Sequence, residues 1–331
     1  MRFRNTLVVA GVALVATAAS AQAQCASASA QTRDLCTKAS DLYQFLMPQL
    51  GGALAGGAAM PGQATTLGGL GHFAIGVRAS AIQGKFPKAD NISFSTTGPV
   101  ATQFTANDQL IPMPTVDIGV GIFEGVNVGV TKVGAVDALA SLTYLPNVDG
   151  DGVSLNVKSS TAFAFGARVG ALEEGVLWPS VALTYVNRKL PTATIAGHGA
   201  TTASGVGTAP GNFSLNDLDV KVSSWRIQAA KNFAVLGLTA GFGGDKLDNS
   251  TSITGSVTAV GQTYALNPTS LSQSLDRTNM FVGASINLPI FRLAAEYGQQ
   301  SGGSVAALTN GFGDAADASR SYFSVGIRLK F

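Results

Sequence analysis

Apolar and polar residues alternate along most of this chain, and the pattern is clearest at its C-terminal end. In residues 321–331, every second position on one face is apolar: Phe323, Val325, Ile327, Leu329 and Phe331. The opposite face carries Arg328 and Lys330. Because side chains in a β-strand alternate between two faces, this segment predicts a strand with one apolar face and one polar face.

The same alternation recurs upstream and predicts a wall of antiparallel strands. The clearest segments are residues 73–79, 116–122, 163–169, 181–185, 280–288 and 291–297, and a further strand is expected after the turn at residues 124–125. Long polar connections at residues 83–113, 192–212, 243–270 and 302–319 alternate with short turns. Short turns on one side and long loops on the other are typical of outer-membrane barrels. Residues 92–104 and 252–266 are expected to form hairpins that extend above the membrane, and counting one loop hairpin as part of the wall, we expect about twelve strands, within a range of ten to fourteen.

The composition supports a membrane-embedded, all-β fold. Charged residues make up 12% of the chain, against roughly 25% in soluble domains. After the N-terminal segment, no apolar stretch approaches the roughly 20 residues of a spanning helix, and a closed barrel is the remaining structure that satisfies its own backbone in lipid. The net charge of +2, without a long basic run, argues against a nucleic-acid partner.

The N-terminal residues predict export. Arg2 and Arg4 precede an apolar run at residues 7–19, and Ala21 and Ala23 satisfy the small-residue rule for cleavage after Ala23. A membrane anchor would need a longer apolar run. The expected parts are therefore a signal peptide at 1–23, a leader at 24–71 and a barrel at 72–331.

The two cysteines, Cys25 and Cys36, are expected to form a disulfide in an oxidising periplasm. Lipidation of Cys25 is disfavoured because Gln24 stands where a small residue is required. Two free thiols remain the alternative.

The leader predicts a helix over residues 33–47 that ends before Pro48, followed by a glycine-rich stretch at 51–71. Such a segment either folds into the lumen as a plug, rests at the periplasmic mouth, or stays loose.

If the apolar faces meet lipid, the opposite faces line the lumen. The lumen-facing candidates are Arg78, Asp117, Arg168, Arg226, Arg292, Glu296 and Arg328. A weakly cationic interior of this kind would favour anionic solutes. The alternative is that these side chains pair with one another and fill the barrel.

Catalytic residues and a metal site are not expected, nor is a cofactor. His72 and His198, the two histidines, lack the spacing of a catalytic triad. Residues 147–152 match the beginning of a calcium loop, but Lys158 stands where the loop needs a glutamate, so we interpret the segment as a polar turn with at most a weak cation site.

The final strand, which closes on Phe331, resembles the C-terminal signature of bacterial outer-membrane barrels, in which the terminal aromatic is read by the barrel-assembly machinery. The resemblance implies outer-membrane lipid, lipopolysaccharide and that machinery as partners.

The glycine-rich leader ahead of a barrel of this length is similar to the long-chain fatty-acid transporter family, whose N-terminal segment plugs the lumen. That similarity implies a porin-like protein that passes a small solute, hydrophobic ones included. The alternatives are a structural or interaction barrel with a closed lumen and partner-binding loops, and, less favoured, a barrel enzyme.

Overall fold

The computed structural model describes residues 24–88, 92–145, 147–150, 153–199, 211–259 and 261–331. The predicted signal peptide at 1–23 lies outside the described residues.

The described chain contains one long helix followed by strands. The helix is α1 (Ala30–Ala55), and the strands are β1 (Phe73–Pro87), β2 (Ala106–Phe123), β3 (Val126–Val128), β4 (Thr131–Val133), β5 (Ala135–Tyr144), β6 (Val148–Gly150), β7 (Val153–Val157), β8 (Thr161–Leu172), β9 (Ser180–Lys189), β10 (Ala193–Gly199), β11 (Gly211–Phe233), β12 (Leu236–Ala259), β13 (Gln262–Asn287), β14 (Phe291–Gln300) and β15 (Arg320–Lys330).

Ten of these strands close into an antiparallel barrel. Their order around the wall is β1, β2, β5, β8, β9, β11, β12, β13, β14 and β15, and β15 pairs back onto β1. At the seam, the backbones of Phe73 and Phe331 exchange two hydrogen bonds, and their rings stack with centroids 4.9 Å apart. The predicted all-β barrel is therefore confirmed, with a strand number at the lower bound of the expected range.

Loop hairpins lengthen the wall strands and do not add new ones, which is why the preferred count of twelve was too high. Residues 252–266 form the tip of the β12–β13 hairpin, in which Ala259 pairs with Gln262. Strand β13 has 26 residues, whereas roughly 9–11 suffice to cross a bilayer. Strands β6, β7 and β10 pair beside β11 at the same loop-facing end. This end therefore projects well beyond the membrane.

Two local expectations were wrong. The residues after the turn at 124–125 form a separate two-stranded hairpin, β3–β4, and the wall resumes only at β5. The described part of residues 92–104 forms no hairpin, and its Gln103 instead bridges Gly311 in the loop before β15. Of the predicted polar turn at 147–152, residues 148–150 form β6, which pairs with β7, and residues 151–152 lie outside the described residues.

The outer surface of the wall is apolar. On β15 the residues Phe323, Val325, Ile327 and Leu329 are exposed, and Ser324 and Arg328 between them are buried. Exposed large apolar side chains follow the same alternation on β1, β2, β8 and β14. Such a surface is matched to hydrocarbon, and closed antiparallel barrels with tight turns at one end are those of the bacterial outer membrane. The protein is an outer-membrane β-barrel.

None of the described helices is both long and apolar enough to cross a bilayer.

The leader fills the interior of this barrel. Helix α1 lies in the loop-facing half, where nearly all of its residues are buried against β11, β12, β13 and β1. Residues 56–71, which we call the strap, then run to the turn-facing end, where the chain enters β1. Of the positions left open by the sequence, the leader takes that of a lumen plug.

Helix α1 does not end before Pro48, contrary to expectation, but continues to Ala55. A proline inside a helix removes one backbone donor and leaves carbonyls unpaired. Here the wall supplies the missing donor, since Gln273 Nε2 donates to the carbonyl of Gln44, and Arg277 adds a further hydrogen bond to the carbonyl of Pro48. Tertiary contacts therefore offset the local cost.

Candidate functional site

The candidate site is the lumen along the strap, where leader and wall fit closely. A side chain at Gly51 would collide with Leu247 of β12, and one at Gly121 of β2 would collide with the backbone of Gly69. Gly51 lies near the end of α1 and Gly69 near the turn-facing mouth. Close contact thus extends from the helix to the end of the strap.

The loop-facing half holds the helix through apolar packing. One cluster of buried residues joins the apolar side chains of α1 to those of the protruding strands and loops. Within it, the ring of Phe312 stacks on Phe45 and Phe104 at centroid distances of 4.7 and 5.1 Å. The loops before β2 and β15 are therefore packed onto the helix.

Two buried carboxylates of α1 tie down the same loops. Asp34 accepts hydrogen bonds from the backbone N–H groups of Ser95 and Val100, at 2.7 and 2.8 Å. Asp41 accepts from Asn310 through both its backbone and its side-chain nitrogen, at 2.9 and 2.7 Å. Burial raises the pKa of Asp41, against the opposing effect of these hydrogen bonds.

The predicted disulfide is confirmed. Cys25 and Cys36 are joined, with their Cα atoms 5.8 Å apart, and both are fully buried at the loop-facing end. The bond closes a short loop at the N-terminal end of α1.

The turn-facing half holds the strap through polar contacts to its backbone. Arginines of the wall donate to carbonyl oxygens of the strap, Arg78 to Gly56 at 2.9 Å and Arg292 to Gly62 at 2.8 Å, and Arg226 donates to Ala55, the last residue of α1, at 2.6 Å. Gln228 also donates to the carbonyl of Gln63. No residue of the strap carries a charge. The polar contacts of the wall therefore bind the backbone of the strap, while the side chains of Met60 and Leu67 pack against apolar wall residues.

Three buried ion pairs support these arginines. Arg78 pairs with Asp117 at 2.9 Å, Arg168 with Asp137 at 2.7 Å and Arg226 with Glu296 at 3.2 Å.

The carboxylates of two of these pairs also bind the strap. Asp137 accepts from the N–H of Leu67 at 3.0 Å, and Glu296 accepts from that of Ala58 at 3.2 Å. Each of these pairs thus neutralises its own charges while its carboxylate satisfies a strap donor.

The other lumen arginines lack such partners. For Arg188, Arg292 and Arg328, the described part of the chain offers no carboxylate at ion-pairing distance. Arg188 donates to Ser224 Oγ at 3.1 Å, and Nη1 of Arg328 is buried without a hydrogen-bond partner.

All seven lumen-facing candidates thus line the interior, with Arg292 only partly buried. Sequence reasoning missed Asp137, Arg188 and Asp245, although Arg188 alternates with outward-facing residues of β9 and was detectable by its period.

Comparison with known proteins gives a family. Residues 80–311 match a family described as a family of unknown function, DUF6588. The chain belongs to this family. No curated protein matches the sequence.

Several solved structures are similar to the DUF6588 chain at low sequence identity. The outer membrane protease OmpT from Escherichia coli is 8% identical, with a TM-score of 0.44, and the match covers 79% of this chain and 97% of OmpT. The Pseudomonas putida toluene transporter TodX is 10% identical, with a TM-score of 0.33, and the match covers 78% of this chain and 88% of TodX. Neisserial surface protein A is 10% identical, with a TM-score of 0.25, and the match covers 79% of this chain and 99% of the neisserial protein.

The cavities that remain between the strap and the wall of the DUF6588 barrel are small. One is lined by Arg168, Arg188 and Arg226, and another by Arg78, Arg292 and Arg328. Each has room for about one water molecule. With the leader in place, neither cavity provides an open passage.

The histidines lie away from this lumen. His72 is exposed at the turn-facing end beside Gly68, and His198 is exposed on β10. Neither has a described ion pair with a carboxylate.

Proposed function

We propose that this outer-membrane barrel lets a small solute pass when its strap gives way, so that residues 56–71 act as the gate. The observation that carries the proposal is the way in which Arg78 and Arg292 of the wall hold the strap by its backbone carbonyls. When the strap moves, water can hydrogen-bond to the arginine and to the strap carbonyl in place of their bond to each other.

The wall is shaped around an occupant. A small barrel that is permanently shut fills its interior with its own side chains. Here several of the inward positions along the strap are small residues, including Gly119, Gly121, Gly170 and Ser285, and a Cβ at any of these glycines would come close to the strap. Without the strap this half of the barrel has free space.

The two halves of the leader resist displacement to different degrees. A hydrogen bond to a charged group contributes roughly 1.5–3 kcal/mol net, and less where water can replace it. Fully burying one large apolar side chain contributes roughly the same, and α1 buries many of them. The strap is therefore the weaker half and is expected to yield first.

The burial of α1 favours a second candidate function. If the helix never leaves the loop-facing half, the protein is a closed barrel that displays its long loops to a partner. The attachment of two loops to Asp34 and Asp41 favours this alternative, because it makes the outer surface rigid.

Conductance in a planar bilayer tests whether the leader is what closes the lumen. A variant lacking residues 24–69 is expected to assemble and to conduct more than the intact protein. Heat-modifiable migration checks assembly. A folded variant that conducts no more than the intact protein would refute the gate and favour the closed barrel.

A cross-link tests whether the strap itself moves. Thr66 Cγ2 lies 3.0 Å from the position that a Cβ at Gly170 would occupy, so Thr66→Cys with Gly170→Cys brings two sulfurs within bonding reach. Openings of the double variant should disappear on oxidation and return on reduction. Thr66→Cys alone is the matched control, and openings that persist in the cross-linked protein would refute movement of the strap.

We also propose that export of the chain uses residues 1–23 as a signal peptide and that Phe331 is read by the barrel-assembly machinery. The apolar outer surface of the wall is the part that would contact lipid and lipopolysaccharide. The seam between Phe73 and Phe331 supports a role for the terminal residue in closing the barrel.

A further inference from the structure

Two arginines face each other across neighbouring strands at the turn-facing end of the lumen. Arg292 of β14 and Arg328 of β15 are direct partners in the antiparallel register. Directly opposed side chains have Cβ atoms roughly 4.5–5.5 Å apart, and like charges in such a pair destabilise the sheet. This arrangement therefore needs a compensating negative charge.

No described carboxylate lies at ion-pairing distance from either arginine, and Glu174, whose charge acts on Arg292, already pairs with Lys231 at 3.6 Å. Arg292 donates to the carbonyl of Gly62, a neutral acceptor, and Nη1 of Arg328 has no partner although the residue is 8% exposed. The strap is uncharged over its whole length.

The carboxylates nearby are engaged elsewhere. Asp117, which lines the same cavity, already pairs with Arg78 and accepts a hydrogen bond from Ser141 at 2.6 Å. Asp137 is held by Arg168 and by the N–H of Leu67. Lys330, two residues after Arg328, adds a further cation at the mouth.

A cavity adjoins the pair. It is lined by Arg292, Arg328 and Arg78 together with Gly76 and Pro61, and it has room for about one water molecule. A buried donor without a partner, an unbalanced pair of cations and a cavity of this size occur at one place.

We propose that this cavity binds a small inorganic anion between Arg292 and Arg328. The site lies on the route that the strap occupies, so an opened barrel passes small anions in preference to cations. The selectivity part rests on the proposed function, whereas binding in the closed barrel does not. A hydrophobic solute would instead have to cross this charged ring.

Binding is tested on the intact protein in detergent by thermal unfolding at constant ionic strength, with chloride exchanged for gluconate. The unfolding midpoint of the wild type should rise with chloride and saturate. The rise should be lost in Arg328→Gln and in Arg292→Gln, and kept in Lys189→Gln, which removes one positive charge from the outside of the wall. Arg328→Lys retains the charge and should retain part of the effect.

A wild type with no chloride dependence, or one whose dependence survives both glutamine variants, would overturn the site. If one glutamine variant fails to fold, the other still decides, because each removes one half of the pair.

Selectivity is tested in the variant lacking residues 24–69, from the reversal potential across a potassium chloride gradient. The reversal potential should have the sign that indicates a preference for anions. It should move toward zero when Arg292→Gln and Arg328→Gln are added. A conducting barrel that prefers cations would overturn the selectivity while leaving the gate intact. A folded barrel that does not conduct would overturn the gate and the selectivity together, leaving the binding test to stand alone.

Discussion

The buried pair of Arg168 and Asp137 gives the sharpest stability test of the polar lumen. Asp137 is fully buried, and its Oδ2 lies 2.7 Å from Nη2 of Arg168. The Arg168 side chain is itself only 1% exposed. Asp137→Asn keeps the shape of the side chain and an acceptor for the N–H of Leu67, but it leaves the arginine without a compensating charge. Removing one partner of a buried pair costs about 3–5 kcal/mol.

The assay is urea unfolding from lipid vesicles, followed by the fluorescence of Trp225 on the outer wall and by heat-modifiable migration. We expect the variant to lose about 3–5 kcal/mol in the free energy of unfolding. Asp137→Leu combined with Arg168→Met should cost less than Asp137→Asn alone, because it removes both charges from the interior.

The pair of Lys132 and Glu124 provides a matched control at the same end of the barrel. Its side chains are 35% and 63% exposed, so Glu124→Gln should cost at most about 1 kcal/mol. If Asp137→Asn and Glu124→Gln lose similar amounts, water enters the lumen freely enough to screen the buried pair, and the account of a tightly filled interior is wrong.

Four further predictions concern the wall and the leader. Deleting Phe331 should impair assembly, and a full outer-membrane yield with normal heat-modifiable migration would contradict this. Val325→Lys, at the middle of β15, should lower the free energy of unfolding from lipid vesicles by about 2–4 kcal/mol, and Leu329→Lys near the rim should lower it by only about 0–1 kcal/mol. Reducing the bond between Cys25 and Cys36 should cost about 2–3 kcal/mol for a loop this short, as a comparison of oxidised and reduced protein would show. Because burial raises the pKa of Asp41, its contribution to stability should fall as the pH rises above the ordinary value of 3.8, and Asp41→Asn should remove that part of the pH dependence of unfolding.

The wall was largely predictable from the sequence because a period of two reports directly on which residues face lipid. The final strand shows this best, since the residues assigned to lipid are exposed and Arg328 between them is buried. Strand number was less predictable. The alternation continues along β12 and β13 beyond the membrane, and periodicity alone does not show where lipid ends.

The lumen-facing residues were predictable, but their partners were not. Arg168 and Asp137 are direct cross-strand neighbours, whereas Arg78 lies opposite Thr115 and reaches Asp117 diagonally. These pairings depend on strand register, which the sequence leaves open. Asp137 was missed because the strand following the turn at 124–125 was placed too early.

The leader was recognisable by its glycine content, but its path was not. Helix α1 continues past Pro48 because Gln273 and Arg277 of β13 donate to carbonyls of the helix. Both donors are more than 200 residues away in sequence. No local rule contains that information.

The division of the lumen into an apolar and a polar half constrains any opening movement. Apolar contacts with α1 lose their stabilisation as soon as water enters, so the loop-facing half opens as a unit or stays closed. The strap has only a small apolar cluster, in which Ala59, Met60 and Leu67 pack against β1, β5, β8 and β9, and its other contacts are separate hydrogen bonds that water can replace one at a time. Partial opening from the turn-facing end, with α1 still in place, is therefore the movement of lowest cost. It exposes Arg292 and Arg328 first, which makes their charge the first feature of the lumen that a solute entering from that side encounters.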